Sequence, residues 1–163
     1  MSNNDDNPPC PSFEEVTGIR SKLHSIGRLD ADTSGLLLLT NDGGLIHHVT
    51  NPKASTHLTS ATASTNPNTT GAITKTYEAT IMGHHTLQSL RPLLQGIDIG
   101  AKYGGTTRLV RDLAVLHHPN HKSTVMLISI NKGRNRQVRR MFHALGSGVM
   151  WLARTGVGGG LTL

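Results

Sequence analysis

The chain has 163 residues, of which 36% are apolar and 3% aromatic. Its length is typical of one domain, and its composition excludes a coiled coil, in which about half of the residues are Ala, Glu, Lys, Leu and Arg. A membrane-spanning helix needs ~20 apolar residues in a row, whereas the longest strongly apolar run is Leu36–Leu39, so we expect no membrane partner. The single cysteine, Cys10, cannot form an internal disulfide, and we therefore expect an intracellular, cytoplasmic or organellar, protein.

The net charge of +6 is unevenly distributed along the chain. Residues 1–15 hold four acidic residues and no Lys or Arg, whereas residues 101–163 hold ten Lys and Arg and one acidic residue, Asp112. Ten minus one leaves the second region at +9. A region this basic favours a polyanion as partner, and nucleic acid is the commonest polyanion. The alternative is a basic face that contacts only solvent.

The first half of the chain shows a tail followed by short elements. Residues 1–11 are polar and contain three prolines, which predicts a disordered N-terminal tail. Ser12 and Glu15 have the spacing of a capping box and predict a helix over 13–24. Further elements are predicted in this order: a buried strand over 36–40, a short helix or turn over 44–50, a strand over 76–82, and a helix that is capped by Thr86 and bends or ends near Pro92.

The remaining elements predict an α+β fold. Ten of the twenty residues in 55–74 are Ser or Thr, which predicts a mobile surface loop. Strands are predicted over 109–116 and 125–130 with a turn around 118–120, then a helix from about Arg134 and a last strand over 149–152. Strands outnumber helices and do not alternate regularly with them. This order is typical of a mixed, largely antiparallel sheet flanked by helices.

The first motif, GRLDADTSGLLLLTNDG, occupies residues 27–43. A polar turn with two acidic residues, Asp30 and Asp32, leads into an apolar run, and catalytic groups are often carried on loops of this kind. A carboxylate here can act as a nucleophile, a general base or a metal ligand. The alternative is a turn in which Asp30 or Asp32 caps backbone N–H groups.

Two further motifs point to nucleic acid. Residues 75–79 read KTYEA, and the ring of Tyr77 can stack on a base for ~1–3 kcal/mol or simply pack across the sheet. Residues 132–142 read KGRNRQVRRMF. On a helix, Arg136 and Arg140 lie opposite the apolar stripe, as residues that bind phosphate would. Arg139 lies at the flank of the stripe, from where it can turn inward to a partner; a solvated helix face is the alternative.

Taken together, these three segments closely resemble the signature motifs of the RsuA-type pseudouridine synthases. That family includes the RluB, RluE and RluF branches, which modify ribosomal RNA. The resemblance runs from about Ile26 to Leu161. It implies a pseudouridine synthase catalytic domain over 12–163 that acts as a monomer on RNA, most of all ribosomal RNA, with no cofactor and no metal.

The resemblance also implies the residues that carry the reaction. The enzyme breaks the N1–C1′ bond of a uridine, turns the uracil and rejoins it through C5. The family's nucleophile maps to Asp30, its motif-two aromatic residue to Tyr77 and its motif-three basic residue to Arg139, which we expect to act as the countercharge of Asp30. The residues expected to hold RNA are Arg28, Lys75, Arg134, Arg136, Gln137 and Arg140.

The sequence leaves two other functions open. We expect the chain to lack the small N-terminal RNA-binding domain of many relatives, as the RluE branch does, and to be shortened at both ends. An RNA-binding protein of this family that has lost turnover is therefore the main alternative. A hydrolase that uses Asp30 and Asp32 is the weaker one, because two carboxylates on one turn are poorly placed to flank a sugar at ~5–9 Å.

Overall fold

The computed structural model describes residues 11–50, 73–131, 133–158 and 160–163. Residues 1–10 of the predicted tail and most of the Ser/Thr-rich loop lie outside these residues. The described helices are α1 (Phe13–Thr17), α2 (Gly43–Thr50), α3 (Arg91–Gln95) and α4 (Gln137–Ala144). The described strands are β1 (His24–Ser25), β2 (Ser34–Gly35), β3 (Leu39–Thr40), β4 (Lys75–Met82), β5 (Asp112–Asn120), β6 (Ser123–Ile130), β7 (Val149–Val157) and β8 (Leu161–Thr162).

The main sheet has the strand order β2-β7-β4-β6-β5, with β8 paired to β7. Only the β2–β7 pair is parallel, and the other pairs are antiparallel. Strands β1 and β3 form a separate two-stranded sheet. The predicted α+β class with a mixed, largely antiparallel sheet is confirmed. No helix among the described residues is long and apolar enough to span a membrane.

One face of the sheet forms the core because its side chains alternate. In β4, Tyr77, Ala79 and Ile81 are buried on this face, as the period of two predicts. Helix α4 covers the face with Met141 and Phe142, which are fully buried. The apolar stripe of α4 therefore shares one buried core with Tyr77, Ala79 and Ile81 of β4, and this places motif three near motif two.

Several boundaries differ from the sequence prediction for local reasons. Helix α1 stops at Thr17 because Gly18 adopts φ 68 and donates its N–H to Glu14 O, which ends the helix seven residues early. The capping box itself is present, with Ser12 and Glu15 hydrogen bonded both ways. Pro92 lies in the first turn of α3, where its fixed φ favours a helix start, so it begins the helix that it was expected to end.

Other strands also shift. Of the strand predicted over 36–40, only Leu39 and Thr40 are in a strand, and they are half-buried. The turn between β5 and β6 lies at 121–122, not around 118–120, because Asn120 Oδ1 accepts hydrogen bonds from Lys122 N at 2.8 Å and Ser123 Oγ at 3.0 Å. Strand β7 is longer than predicted, at nine residues, because β4 pairs with most of its length.

Candidate active site

The three motifs meet at one cleft of about 350 Å³. The loop between β1 and β2 forms one wall, the start of β4 forms the floor, and the segment before α4 forms the opposite wall. The lining residues of motif one are Gly27, Arg28, Leu29, Asp30 and Thr33; those of motif two are Lys75 and Tyr77; those of motif three are Gly133, Arg134, Asn135, Gln137 and Val138. Ile130 and Leu152 complete the lining.

A turn separates the two carboxylates of motif one. Thr33 N donates a 2.9 Å hydrogen bond to Asp30 O, so the backbone, and not an aspartate side chain, closes the turn. Asp30 faces the cleft, whereas Asp32 faces α4 and its preceding segment. Among the described residues, the Asp30 carboxylate has neither a hydrogen bond nor an ion pair, and this leaves it available to a ligand in the cleft.

Asp32 instead forms two ion pairs. Arg136 binds it with both guanidinium N–H groups at 2.8 Å, and Arg139 Nε lies 3.2 Å from Asp32 Oδ2. The hydrogen bonds from Arg136 are the largest cause that lowers the pKa of Asp32, and the charge of Arg139 adds to the effect. Asp32 therefore stays ionised and ties the turn to motif three.

The expected pairing of Arg139 with Asp30 is therefore wrong in this structure. Arg139 Nη2 donates to Asp32 O at 2.5 Å, and Nη1 donates to Val149 O at 2.9 Å. Its side chain is only 14% exposed, against 42% for Arg136. Because the chain turns between Asp30 and Thr33, Asp30 lines the cleft, whereas Asp32 contacts Arg136 and Arg139. Arg139 thus holds the turn that carries Asp30 by contacts with both the backbone oxygen and the carboxylate of Asp32.

Arg136 has a strained backbone. Its φ of 50° is the one positive value among the non-glycine residues that the structure describes. Non-glycine residues reach this region at a cost of ~1–2 kcal/mol, and such strain is often found at functional sites. This conformation ends the preceding loop and starts α4 at Gln137, three residues later than predicted. The two hydrogen bonds to Asp32 stabilise it.

Tyr77 lies at the floor of the cleft and is 8% exposed. Burial raises the pKa of its phenol, the nearby guanidinium of Arg154 opposes the increase, and the charge of Asp30 adds to it. These effects indicate that Asp30, Tyr77 and Arg154 lie close enough to interact. At neutral pH the phenol is protonated, and Arg154 is the group beside it that favours its ionised form.

The motif analysis missed Arg154, which is the largest fully buried side chain described, at 1% exposed. Its Nε donates to Leu36 O at 2.7 Å and its Nη1 to Arg28 O at 3.4 Å, so one side chain holds both ends of the loop that carries Asp30. Its Nη2 is buried and has no partner in the described part of the chain. The feature of the sequence that could have indicated its role is that it is a single charged residue among the small and apolar residues of 152–155.

The other residues expected to hold RNA lie around the cleft and differ in their exposure and hydrogen bonding. Arg28 is exposed at the rim, and Lys75 is half-buried. Burial lowers the pKa of the Lys75 ammonium, and the Arg154 charge lowers it further. Arg134 Nη1 donates to Gly105 O at 3.1 Å. Gln137 is 5% exposed and accepts a 2.9 Å hydrogen bond from Arg134 N, so it shapes the wall, and its contact with RNA stays a prediction.

We expect the free energy of unfolding to fall as the pH rises above about 10, the ordinary pKa of a phenol. The unfolded chain loses the Tyr77 proton at that pH, whereas the folded chain keeps it to a higher pH because burial raises the pKa. The folded state binds more protons in this window, so stability is lost there. Tyr77→Phe should flatten the decline, as measured by urea unfolding at a series of alkaline pH values.

Lys75 acts in the opposite sense, because a lowered ammonium pKa makes stability rise with pH up to about 10.4. It is present in both proteins, so the comparison isolates Tyr77. An equally steep decline in the wild type and in Tyr77→Phe would contradict the assignment of a raised pKa to this residue.

The cleft combines the groups that a base-modifying site needs. An unpaired carboxylate, a buried ring and several cations line a space that is open to solvent on one side. The carboxylate can attack an electrophilic carbon, the ring can lie against a flat base, and the cations can hold phosphates. A nucleotide turned out of its stack fits this arrangement.

Comparison with known proteins agrees with this geometry. The sequence model of the RNA pseudouridylate synthase family matches residues 17–144. The chain is 39% identical over 136 residues to ribosomal large subunit pseudouridine synthase B of Bacillus subtilis strain 168, an alignment that covers 83% of this chain and 48% of that protein. It is 30% identical over 161 residues to ribosomal large subunit pseudouridine synthase E of Xanthomonas campestris pv. campestris, with 93% and 76% covered.

A solved structure is similar as well. A crystal structure described as that of a pseudouridylate synthase matches with a TM-score of 0.64 and 33% identity, over 84% of this chain and 49% of that one. The chain spans about half the length of several of the curated relatives that it matches. The matched region includes all three motifs and the residues that line the cleft up to Val138.

Proposed function

Because the chain belongs to the RNA pseudouridylate synthase family, we propose that it converts a specific uridine, in ribosomal RNA, to pseudouridine and that Asp30 is the nucleophile. The observation that supports this most is the convergence of Asp30, Tyr77 and Lys75 on one cleft. The names of the similar proteins from Bacillus subtilis and Xanthomonas campestris support ribosomal RNA as the substrate.

The reaction can be written with this chain's own residues. Asp30 attacks either the sugar C1′ or the uracil C6, and the N1–C1′ bond breaks. The uracil turns within the cleft, a C5–C1′ bond forms, and Asp30 is released. The hydrogen on C5 leaves as a proton, while N1 gains one. The product is an isomer of the substrate, so the reaction needs no oxidant or reductant.

Tyr77 and Arg154 have distinct roles in this scheme. In our scheme the uracil ring rests on Tyr77 at the floor of the cleft, and the phenol assists removal of the C5 proton. Since a protonated phenol is a poor base, the charge of Arg154, which lowers the Tyr77 pKa, assists that step. Arg154 also holds the loop of Asp30 at Leu36 and Arg28, which keeps the nucleophile over the floor.

The proposal is tested by mapping pseudouridine in ribosomal RNA from cells with and without this gene. The expected result is one uridine that stays unmodified when the gene is removed and is modified again when the wild-type gene is restored. Restoration by an Asp30→Asn gene would contradict the nucleophile. An unchanged map, together with salt-dependent RNA binding by the purified chain, would instead favour an RNA-binding protein without turnover.

Arg139 and Arg136 should differ when each is replaced by alanine. Arg139 is mostly buried and holds the turn of Asp30 through Asp32 O and Val149 O, so Arg139→Ala should lower the single-turnover rate by about tenfold or more and RNA affinity much less. Arg136 is half-exposed, so Arg136→Ala should mainly weaken RNA binding and reduce its log–log salt slope by about 0.7–0.9.

Both quantities are measured on the same purified variants. Arg139→Lys serves as the control for charge, since it keeps a cation but loses the two-pronged contact, and it should fall between the wild type and Arg139→Ala in rate. Equal effects of Arg136→Ala and Arg139→Ala on rate and on affinity would remove the special role of Arg139.

A further inference from the structure

A second cavity, of about 500 Å³, lies on the other face of α4 from the cleft. The 98–103 segment forms its second wall. Its lining residues are Asp98, Ile99, Tyr103, Arg136, Arg139, Arg140, His143 and Ala144. Small-molecule sites usually have volumes of ~300–1,000 Å³, so the cavity has room for one nucleotide.

The charge of this cavity favours an anion. Three arginines line it, against the single carboxylate of Asp98. That carboxylate accepts a 2.9 Å hydrogen bond from Gly100 N, which uses part of its capacity within the loop. Asp32 compensates part of the charge of Arg136 and Arg139, but Arg140 has no ion pair among the described residues. A net positive pocket with an uncompensated guanidinium suits a phosphodiester.

Arg140 is also held in a fixed orientation. Its Nε and Nη2 donate to Asn135 O and Asn135 Oδ1, both at 3.1 Å. Its guanidinium carbon lies 3.1 Å from the centre of the Tyr103 ring, and Lys102 Nζ lies 5.9 Å from that centre. A guanidinium plane backed by an aromatic ring is a surface on which RNA bases stack. The pair therefore offers both charge and a flat surface.

The cavity lies close to the uridine cleft along the chain. Asn135, Gln137 and Val138 line the cleft, whereas Arg136, Arg139 and Arg140 line the cavity. Neighbouring residues of one segment thus contribute to two sites. An RNA strand that leaves the cleft across the start of α4 reaches the cavity without leaving the basic surface.

We propose that this cavity is a second RNA subsite, which binds one nucleotide of the single strand that flanks the target uridine. The inference rests on the proposed function for the identity of the RNA. Arg140 binds the phosphate, and the base packs against the stacked pair of Arg140 and Tyr103. Arg136 lies at the border and contributes to both sites.

The test measures binding of a fluorescently labelled oligouridylate by anisotropy over a range of KCl concentrations. Arg140→Gln should weaken binding and reduce the log–log salt slope by about 0.7. Arg140→Lys should keep the slope but still bind about five- to tenfold more weakly, because the flat surface is lost. Lys122→Gln, which makes the same change in charge at the β5–β6 turn, should leave the slope unchanged.

Tyr103 gives a test that does not depend on charge. Tyr103→Phe keeps the ring and should bind as the wild type does, whereas Tyr103→Leu should bind about five- to tenfold more weakly at every salt concentration. Equal effects of Arg140→Gln and Lys122→Gln would overturn the subsite, and so would unchanged binding by Arg140→Lys. Thermal unfolding of each variant excludes a loss of fold, and the Arg140 variants decide the question if Tyr103→Leu does not fold.

Failure of the subsite and failure of the proposed function are distinguishable. A chain that forms pseudouridine but binds oligouridylate independently of Arg140 and Tyr103 would overturn the subsite and leave catalysis standing. A chain whose binding depends on both residues but that forms no pseudouridine in ribosomal RNA would support the subsite and remove the catalytic proposal.

Discussion

Asp30→Asn should abolish pseudouridine formation, with a loss of at least about 10³-fold in single-turnover rate, as is usual when a nucleophile is removed. The amide has nearly the same shape as the carboxylate but cannot attack carbon. The Asp30 side chain has no hydrogen bond or ion pair in the described part of the chain, so stability and RNA affinity should stay close to those of the wild type. Nucleoside analysis of the treated RNA measures the rate, anisotropy measures the RNA affinity, and urea unfolding measures the stability.

Asp32→Asn is the matched control for that experiment. It makes the same chemical change two residues away on the same turn, but it removes the ion pairs with Arg136 and Arg139. We expect a smaller loss of rate and a weaker attachment of the turn to α4. Loss of activity in Asp32→Asn with retained activity in Asp30→Asn would assign the nucleophile to Asp32 and contradict the account.

Arg154→Met should have the largest effect on stability. The change removes the charged donor of two partly buried hydrogen bonds, to Leu36 O and Arg28 O, and a hydrogen bond to a charged group contributes ~1.5–3 kcal/mol. We expect the free energy of unfolding to fall by about 3 kcal/mol, as measured by urea unfolding. Arg111→Met, at an exposed arginine, is the control and should change stability by less than about 0.5 kcal/mol.

The pKa of Tyr77 distinguishes a direct effect of Arg154 on the phenol from an effect of Arg154 on stability alone. Since the nearby guanidinium of Arg154 acts to lower the Tyr77 pKa, Arg154→Lys should leave that pKa nearer to the wild-type value than Arg154→Met does. Ultraviolet titration of the phenol in a Tyr103→Phe background reports on Tyr77 alone, because the chain has two tyrosines. Identical Tyr77 pKa values in the wild type, Arg154→Lys and Arg154→Met would contradict a direct contact between Arg154 and the phenol.

The sequence predicts best where one periodic pattern decides the structure. In β4, alternate residues point to the core, and Tyr77 falls on the buried side as expected. In α4, Val138, Met141 and Phe142 are buried as the helical stripe predicts. The order of the predicted strands and helices is enough to predict the fold class, whereas the family resemblance is what implies that the three motifs meet.

The sequence predicts less well where a single backbone angle decides a contact. Neither composition nor period indicates that Thr33 N closes a turn onto Asp30 O, and this turn is what sends Asp30 and Asp32 to opposite sides. Motif alignment therefore assigned Arg139 to the wrong carboxylate. Because Arg136 has a positive φ, α4 likewise starts three residues later than predicted. No residue type near Arg136 predicts this backbone angle.

Arg154 shows a third limit, which concerns tertiary pairing. A buried arginine donates to carbonyls that are distant in sequence, at Leu36 and Arg28. Those partners become visible only when β7 pairs with β2 in parallel and with β4 in antiparallel orientation. The isolated charge among the small and apolar residues of β7 was the available signal, and it lies outside all three motifs.

The most direct measurement of the central claim is tritium release from ribosomal RNA labelled at the uridine C5. Formation of the C5–C1′ bond expels the hydrogen at that position, so each turnover frees one labelled proton. The account predicts that the purified chain releases tritium up to a plateau of one uridine per RNA molecule, and that the Asp30→Asn chain releases none. No release by the folded, RNA-binding wild-type chain, or equal release by Asp30→Asn, would contradict it.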